Sequence, residues 1–229
     1  MISVVIPTFN EKKNIKLISQ RLLKIKIVSE IIFVDDNSTD KTFLEIKNLK
    51  YKKVKGFLRN TKTRDLSQSV IFGVKKAKKN VVLVMDCDLQ HDVNYISKMW
   101  NKFNKMNCDL VIASRFKKKK ISGNLGIFRS FISRLAISTI NLIFGNKSSD
   151  PLSGFFMCRK ELIKINERYF YAKGYKILFD VLFNSNENLK ILEQNIVFKK
   201  RNYEKSKFNL LIIWLFIKQM VHTILLVKK

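Results

Sequence analysis

Two aspartates and a glutamine alternate along a short polar stretch that directly follows an apolar run. Asp86, Asp88 and Gln90 come after residues 81–85, and this Val-rich run predicts a buried parallel strand. Because successive side chains of a strand point to opposite faces, Asp86 and Asp88 should point to the same side. Carboxylate and amide oxygens at the carboxyl end of a strand suit Mg²⁺ or Mn²⁺ and leave positions open for phosphate oxygens. The alternative is a strand-to-turn junction in which the acids only cap the next helix.

Apolar runs and helical patterns alternate along the first half of the chain and would position this stretch. The predicted strands are residues 2–6, 30–34, 54–58, 81–85 and 110–113. The predicted helices are a segment carrying Ile15, Ile18, Leu22 and Ile25 on one face, then residues 41–49, 67–78 and 93–107. Such an alternation predicts an α/β fold, with a parallel sheet and helices on both of its faces.

Two further strands of this sheet should end in polar, acid-bearing loops. The first runs into residues 7–11 (PTFNE), where Asn10 or Glu11 can open the next helix, and the second into residues 35–42 (DDNSTDKT), where Ser38 or Thr39 is the expected cap. Each acid alone could be a cap or turn residue, but these loops would meet where open α/β sheets bind ligands. The chain has no glycine-rich phosphate loop, so a nucleotide here would be held by metal and side chains.

The chain is strongly basic, with 45 lysines and arginines, 18 acidic residues and a formal net charge of +27. Nucleic acid, an anionic membrane surface or a polyanionic substrate would each explain this charge, and so would a Lys-rich coding bias. The lysines are scattered and no nucleic-acid-binding motif accompanies them, so we predict no nucleic-acid partner. The three cysteines fit neither a zinc spacing nor a disulfide framework, which favours a reducing compartment, and we expect no signal peptide at the amino terminus.

Seven short motifs follow one another along residues 1–208. They are residues 7–11 (PTFNE), 34–42 (VDDNSTDKT), 86–91 (DCDLQH), 113–116 (ASRF), 150–156 (DPLSGFF), 174–175 (GY), and Arg201 followed by 206–208 (SKF). Together they resemble the signature blocks of the family 2 glycosyltransferases of GT-A fold, and within that family the polyprenyl-phosphate (dolichol-phosphate) mannose synthases. The resemblance implies a mostly parallel, Rossmann-like sheet and an inverting sugar transfer. Four residues depart from the family pattern: Asp65, Val93, Ala113 and Asp180 stand where Gly, Pro, Gly and Glu are usual.

The resemblance also implies roles for individual residues. Asp86, Asp88 and Gln90 would hold Mg²⁺ or Mn²⁺ against the donor diphosphate. The residues implied to hold the nucleoside are Pro7, Phe9, Glu11, Val34 and Asp36. The residues implied to gather phosphate charge are Arg115, Arg129, Lys173, Arg201 and Lys207. Those expected to act in catalysis itself are Asp86, Asp88, Arg115 and Arg201.

Residues 128–144 have a strongly helical pattern. The apolar residues that share one side of the wheel are Phe128, Phe131, Ile132, Leu135, Ala136, Leu142 and Ile143. This pattern fits a helix at a membrane interface, with lysines 117–120 among anionic headgroups, and equally an ordinary amphipathic core helix. The resemblance favours the interface, because its lipid acceptor arrives from a bilayer.

Residues 208–227 form a mostly apolar stretch with Lys218 and Gln219 at its centre and His222 and Thr223 on the same stripe. A helix of this length, at about 1.5 Å per residue, could cross about 30 Å of hydrocarbon, but a central lysine costs about 3 kcal/mol on insertion. We therefore favour a helix that lies at the interface or packs on a partner over a helix that spans. The predicted division is a GT-A domain at 1–207 and a membrane-associating C-terminal helix at 208–229.

These expectations combine into a membrane-associated glycosyltransferase at the cytoplasmic face. It would transfer mannose from GDP-mannose to a polyprenyl phosphate, with inversion and a divalent metal. The expected partners are the nucleotide-sugar donor, the lipid acceptor, the membrane surface and a small membrane protein. UDP-sugars such as UDP-glucose are alternative donors, with polyprenyl phosphate or a glycan as acceptor. A basic, non-enzymatic binding module is the alternative from a different class.

Overall fold

The computed structural model describes residues 1–61, 63–117, 120–121, 127–185, 188–199 and 210–227. Its strands are β1 (Ile2–Thr8), β2 (Val28–Asp35), β3 (Val54–Leu58), β4 (Val81–Val84), β5 (Leu110–Ser114), β6 (Phe116–Lys117), β7 (Lys120–Ile121), β8 (Phe156–Arg159) and β9 (Ile191–Asn195). Its helices are α1 (Lys12–Leu23), α2 (Thr42–Asn48), α3 (Leu66–Lys76), α4 (Tyr95–Lys105), α5 (Ile127–Phe144), α6 (Lys160–Asn166), α7 (Ile177–Phe183) and α8 (Leu210–Val227). A 3₁₀ turn, Glu167–Tyr169, follows α6.

Seven strands form one mixed sheet in the order β3-β2-β1-β4-β8-β5-β9. β1 pairs in parallel with β2 and β4, β2 with β3, and β5 with β9. β8 alone among them runs antiparallel to its neighbours, β4 and β5. The carboxyl ends of β1, β2 and β4 therefore lie side by side, as the sequence predicts, and the three polar loops leave from the same edge.

Helices cover both faces of this sheet, which confirms the predicted layering. On one face Ile18 of α1, Ile46 of α2 and Met99 of α4 belong to one buried apolar cluster. On the other face Val70 of α3 and Leu162 of α6 belong to a second cluster, together with residues of α7. The near-continuous apolar character of the central strands follows from this arrangement, because both of their faces are covered.

Two strands of the second half differ from the prediction. β8 is a four-residue segment at the end of the 150–156 motif, and a β-α-β alternation contains no cue for an antiparallel strand between β4 and β5. The sequence also predicts a strand at residues 195–199, and these bounds are wrong, because β9 is Ile191–Asn195 and pairs with β5. Ile196 and Phe198 are nevertheless buried, which explains the apolar pattern after β9.

The predicted cap of α2 is also wrong. The helix begins at Thr42, and the residue before it, Lys41, adopts a left-handed conformation with φ 69°. Ser38 instead accepts the N–H of Asn10 at 2.8 Å and donates its hydroxyl to Asp35. Ser38 therefore ties together the loops that follow β1 and β2.

α5 does not present the single apolar face that its wheel predicts. Ile132 and Ala136 line a cavity, whereas Leu135, Leu142 and Ile143 are exposed on the outside. The wheel groups all five on one side, but among the described side chains of α5 only a narrow strip packs on the protein, where Ile140 is buried with Leu152 and Phe179. The side chains of Phe128, of Phe131 and of the four lysines at 117–120 lie outside what the structure describes.

α8 turns part of its polar stripe inward and leaves Lys218 exposed. Gln219 and Thr223 are buried, while Trp214, Val221 and Leu225 are exposed. Phe216 and Met220 pack on the cluster formed by α5 and α7. Within the described ranges, none of the helices has the length and apolar character needed to cross a membrane. The division at residues 207 and 208 stays a prediction.

Candidate active site

The carboxylate loop leaves β4 at the carboxyl edge of the sheet. Asp86 and Asp88 both line the same cavity, while the side chains of Cys87 and Leu89 belong to the core. Leu89 adopts a left-handed conformation with φ 63°, which is sterically unfavourable for a residue with a branched side chain. Its burial compensates for this cost and holds the turn. The loop thus directs both carboxylates to one side, as the alternation predicts.

Gln90 is held by the segment that follows β9. Its Nε2 donates to the Lys199 carbonyl at 3.0 Å, and the Lys199 N–H donates to the Gln90 carbonyl at 3.0 Å. The backbone N–H of Gln90 donates to Asp88 Oδ1 at 3.1 Å. Next to it, His91 Nδ1 accepts the Asp86 N–H at 3.3 Å, and its ring stacks on Phe155. Gln90 and the buried His91 therefore fix the loop that carries the two aspartates.

Arg115 follows β5 and faces the carboxylate loop from across the cavity. Its Nε and Nη2 donate to the two carboxylate oxygens of Asp150, each at 2.7 Å, and its backbone N–H donates to the same group at 3.0 Å. Burial alone would lower the pKa of Arg115, but Asp150, with a smaller effect from Asp86, holds that pKa above its usual value. The site therefore contains a permanent positive charge beside Asp86.

Gly154 lies directly against the Asp86 carboxylate. A Cβ at this position would be 2.9 Å from Asp86 Oδ2 and 3.2 Å from Oδ1. The carboxylate is the mobile end of a half-exposed side chain, so it would move while the fold stays. We expect Gly154→Ala to lower the catalytic activity of this site by about 10²-fold through misplacement of this group, with little change in the unfolding midpoint. Steady-state kinetics and a urea titration measure the two effects, and unchanged kinetics would show that Asp86 tolerates the displacement.

An arginine lies between two aromatic rings at the end of the cavity formed by the β1 loop. The Arg64 guanidinium is 4.4 Å from the centroid of the Phe9 ring and 5.3 Å from that of Tyr175, and it donates to the Tyr175 hydroxyl. Pro7 and Glu11 line the same region. Planar, stacked groups of this kind suit a nucleobase. The motif at 174–175 contains Tyr175 but gives it no role, and nothing in the sequence selects Arg64, because the proximity of the two residues depends on a contact between distant segments.

Asp36 stands beside this region and is held by two neighbours. Its Oδ1 accepts from Arg59 Nη1 at 2.6 Å, and its Oδ2 accepts the Asp65 N–H. Burial raises the pKa of Asp36 above its usual value despite these partners. Asp65, where the family usually has Gly, caps α3 by accepting the Gln68 N–H and also accepts the Gly174 N–H at 2.7 Å. The departure at Asp65 therefore orders the loop around Arg64.

One cavity of about 310 Å³ unites most of the predicted residues, and its size falls in the range of small-molecule sites. The predicted residues that line it are Pro7, Phe9, Glu11, Asp36, Asp86, Asp88, Gln90 and Arg115. Val34 does not, because its side chain is in the core, and neither does Lys173, which is exposed. Lys176, three residues further on, lines the cavity. Arg201, Lys207 and the side chain of Arg129 lie outside the described residues.

Apolar side chains form the remaining wall of the cavity. Ile132 and Ala136 come from α5, and Ile212, Ile213 and Phe216 come from α8. The same cavity is thus lined by the carboxylates in one part and by apolar residues of two helices in another. Helical periodicity predicts both helices, but it does not predict which of their residues face each other.

Comparison with known proteins assigns the chain to a family. The family model described as "Glycosyl transferase family 2" matches residues 3–165. The chain belongs to glycosyltransferase family 2. This match confirms the family that the motifs resemble, and it supports the prediction that the chain is a glycosyltransferase.

Two curated relatives of this family 2 chain are dolichol-phosphate mannosyltransferases. The protein from Pyrococcus furiosus is 35% identical over 210 residues, which cover 90% of this chain and 58% of the relative. The protein from Saccharomyces cerevisiae is 31% identical over 189 residues, which cover 79% of this chain and 69% of the relative. The chain thus spans between half and about two thirds of the length of these relatives.

A solved structure shares the fold of this family 2 domain. Glucosyl-3-phosphoglycerate synthase from Mycobacterium tuberculosis, in complex with Mn²⁺, UDP and glucosyl-3-phosphoglycerate, superposes with a TM-score of 0.73 at 18% identity. The match covers 98% of this chain and 78% of that structure. At this identity the likeness shows the fold alone, and it agrees with the predicted GT-A architecture.

The oxygen groups of the carboxylate loop fit a divalent cation. Asp86, Asp88 and Gln90 line the cavity with carboxylate and amide groups, the ligand types that Mg²⁺ and Mn²⁺ prefer. Among the described residues, no three His, Cys, Asp or Glu side chains gather around one point. A cation here would take most of its ligands from water and phosphate, as Mg²⁺ commonly does.

Proposed function

We propose that this chain transfers a sugar from a nucleotide diphosphate donor to a polyprenyl phosphate. GDP-mannose is the favoured donor, so mannose is the sugar that we expect to be transferred. The observation that carries the proposal is that one cavity has a polar part, lined by Asp86, Asp88 and Arg115, and an apolar part, lined by residues of α5 and α8. A diphosphate suits the first part and a prenyl chain suits the second. The names of the two mannosyltransferase relatives support the same reaction.

The donor would lie along the carboxyl edge of the sheet. Phe9 and Arg64 suit the nucleoside, while Arg115 faces the diphosphate and neutralises part of its charge. A divalent ion at Asp86 and Asp88 would supply Lewis-acid stabilisation of the leaving nucleoside diphosphate. Because Asp150 already orients the Arg115 guanidinium, little reorganisation is required during the reaction.

The acceptor needs no catalytic base in this scheme. A phosphate monoester has its second pKa near about 6, so the acceptor oxygen is already anionic at neutral pH. Transfer then requires alignment of that oxygen with the anomeric carbon, which gains oxocarbenium character. Lys176 lines the cavity and can help to hold the acceptor phosphate, and direct displacement inverts the anomeric centre.

A donor screen with the full chain tests the reaction. We expect product with polyprenyl phosphate and GDP-mannose, stronger inhibition by GDP than by UDP, and loss of activity in EDTA. Polyprenol, the same lipid without its phosphate, is the matched control and should give no product. Equal transfer to polyprenol or to a free sugar would contradict the scheme without a base. UDP-glucose as the better donor would favour the alternative that the Mycobacterium tuberculosis enzyme suggests, since that protein binds UDP.

We also propose that the chain works on the cytoplasmic face of a membrane. The exposed apolar residues Trp214, Val221 and Leu225 of α8 and Leu142 of α5, together with the net charge of +27, support attraction to an anionic bilayer. The same surface could seat a small membrane protein. In a flotation assay we expect the chain to move with anionic liposomes and to remain partly bound at high salt through its apolar residues. Protein that stays behind with both anionic and neutral liposomes would contradict the proposal.

A further inference from the structure

α8 carries a buried side-chain amide, Gln219, although an apolar helix of this kind forms without a buried amide. Gln219 is 1% exposed although the helix around it is strongly apolar and shows apolar side chains to the outside. Burial of an amide without partners is costly, so the contacts of Gln219 indicate why it faces inward.

Gln219 bonds to the segment 171–176, which precedes α7. Its Nε2 donates to the Lys176 carbonyl at 3.0 Å, at the end of the segment that leads into α7. Asp180 is fully buried and accepts the N–H groups of Tyr171 at 3.2 Å and Ala172 at 3.0 Å. Gln219 and Asp180 together hold both ends of the segment.

The same segment is bonded on its other side to the start of α3. Gly174 donates its N–H to Asp65 at 2.7 Å, and its carbonyl accepts the Ser67 N–H at 3.0 Å. Gln68 Nε2 donates to the Ala172 carbonyl at 2.8 Å. A continuous series of hydrogen bonds therefore runs from α8 through 171–176 to the loop that carries Arg64.

This segment supplies two residues to the cavity. Tyr175 contacts Arg64, which stacks on Phe9, and Lys176 lines the cavity directly. We propose that Gln219 is a positioning residue that, from α8, holds Tyr175 and Lys176 in place for the nucleotide diphosphate. It touches neither donor nor acceptor and acts through the segment 171–176. The ligand in this statement rests on the proposed function, whereas the ordering of the segment does not.

Gln219→Met tests the proposal, because methionine keeps the length and volume of the side chain but cannot form the hydrogen bonds. We expect amide hydrogen exchange at Tyr171, Ala172 and Gly174 to become at least about tenfold faster, and the affinity for GDP with Mn²⁺ to fall about tenfold, as loss of a hydrogen bond implies. Thr223→Val is the matched control. Thr223 is buried on the same face, and its hydroxyl donates to the Gln219 carbonyl within α8, so both readouts should stay near wild type.

A second variant covers the case in which Gln219→Met does not fold. Gln219→Asn keeps an amide but withdraws it by one methylene, so we expect smaller changes of both readouts in the same direction. A lowered unfolding midpoint with unchanged exchange at 171–174 and unchanged GDP affinity would show that the amide only stabilises the fold, and would overturn the proposal. If the wild-type protein binds neither GDP nor UDP, the proposed function fails, and the exchange measurement still decides whether Gln219 orders the segment.

Discussion

Asp86→Asn and Asp88→Asn are each expected to reduce sugar transfer by at least about 10³-fold while the fold remains intact. Both carboxylates line the cavity beside Arg115, and both are the groups best suited to a divalent cation there. The amide that replaces either one keeps the shape but removes a negative charge. Loss of metal affinity leaves the diphosphate charge uncompensated, which corresponds to several kcal/mol of transition-state stabilisation.

Asp109→Asn is the matched control for this result. Asp109 stands just before β5, at the opposite edge of the sheet, where it pairs with Arg159 and accepts the Lys190 N–H. Transfer rates, together with Mn²⁺ titrations by calorimetry, separate loss of metal from loss of fold. Full activity of the Asp86 and Asp88 variants in the presence of EDTA would contradict the assignment of a divalent-cation site to these two residues.

The position of this site could be predicted because it follows from local rules. The apolar runs of the sequence predict β1, β2 and β4. Neighbouring parallel strands have their carboxyl ends at the same edge of the sheet, which is where ligands bind. Because Asp86 and Asp88 alternate with Cys87 and Leu89, which are buried in the core, both carboxylates point to the same side. These inferences need only the sequence near each strand, so they held without knowledge of tertiary contacts.

The parts that were not predicted depend on contacts between distant segments. Asp150 lies in a polar motif, and its pairing with Arg115 appears only when the chain returns through β8. The sequence does not distinguish Lys173 from Lys176. Only Lys176, which comes after the turn at Gly174, lines the cavity. The inward direction of Gln219 also escapes periodicity, because its partner, the Lys176 carbonyl, comes from the distant segment before α7.

The Arg115–Asp150 pair gives the largest expected effect on stability. Asp150 is fully buried and accepts three hydrogen bonds from Arg115. Asp150→Asn keeps the volume but leaves the guanidinium with no matching charge, and breaking such a buried pair costs about 3–5 kcal/mol. We expect the free energy of unfolding to fall by about 3 kcal/mol, measured by urea titration at neutral pH.

The same chain contains an exposed pair for comparison. Arg159 donates from Nε to Asp109 at 3.0 Å, but the two side chains are 45% and 32% exposed. Asp109→Asn should therefore cost less than about 1 kcal/mol, and added salt should reduce that cost further because exposed pairs are screened. The effect of Asp150→Asn should change little with salt, since Asp150 is fully buried and Arg115 is only 14% exposed. Similar small losses for both variants would mean that Arg115 finds another anion, with Asp86 as the nearest candidate, and that Asp150 is not what holds it in place.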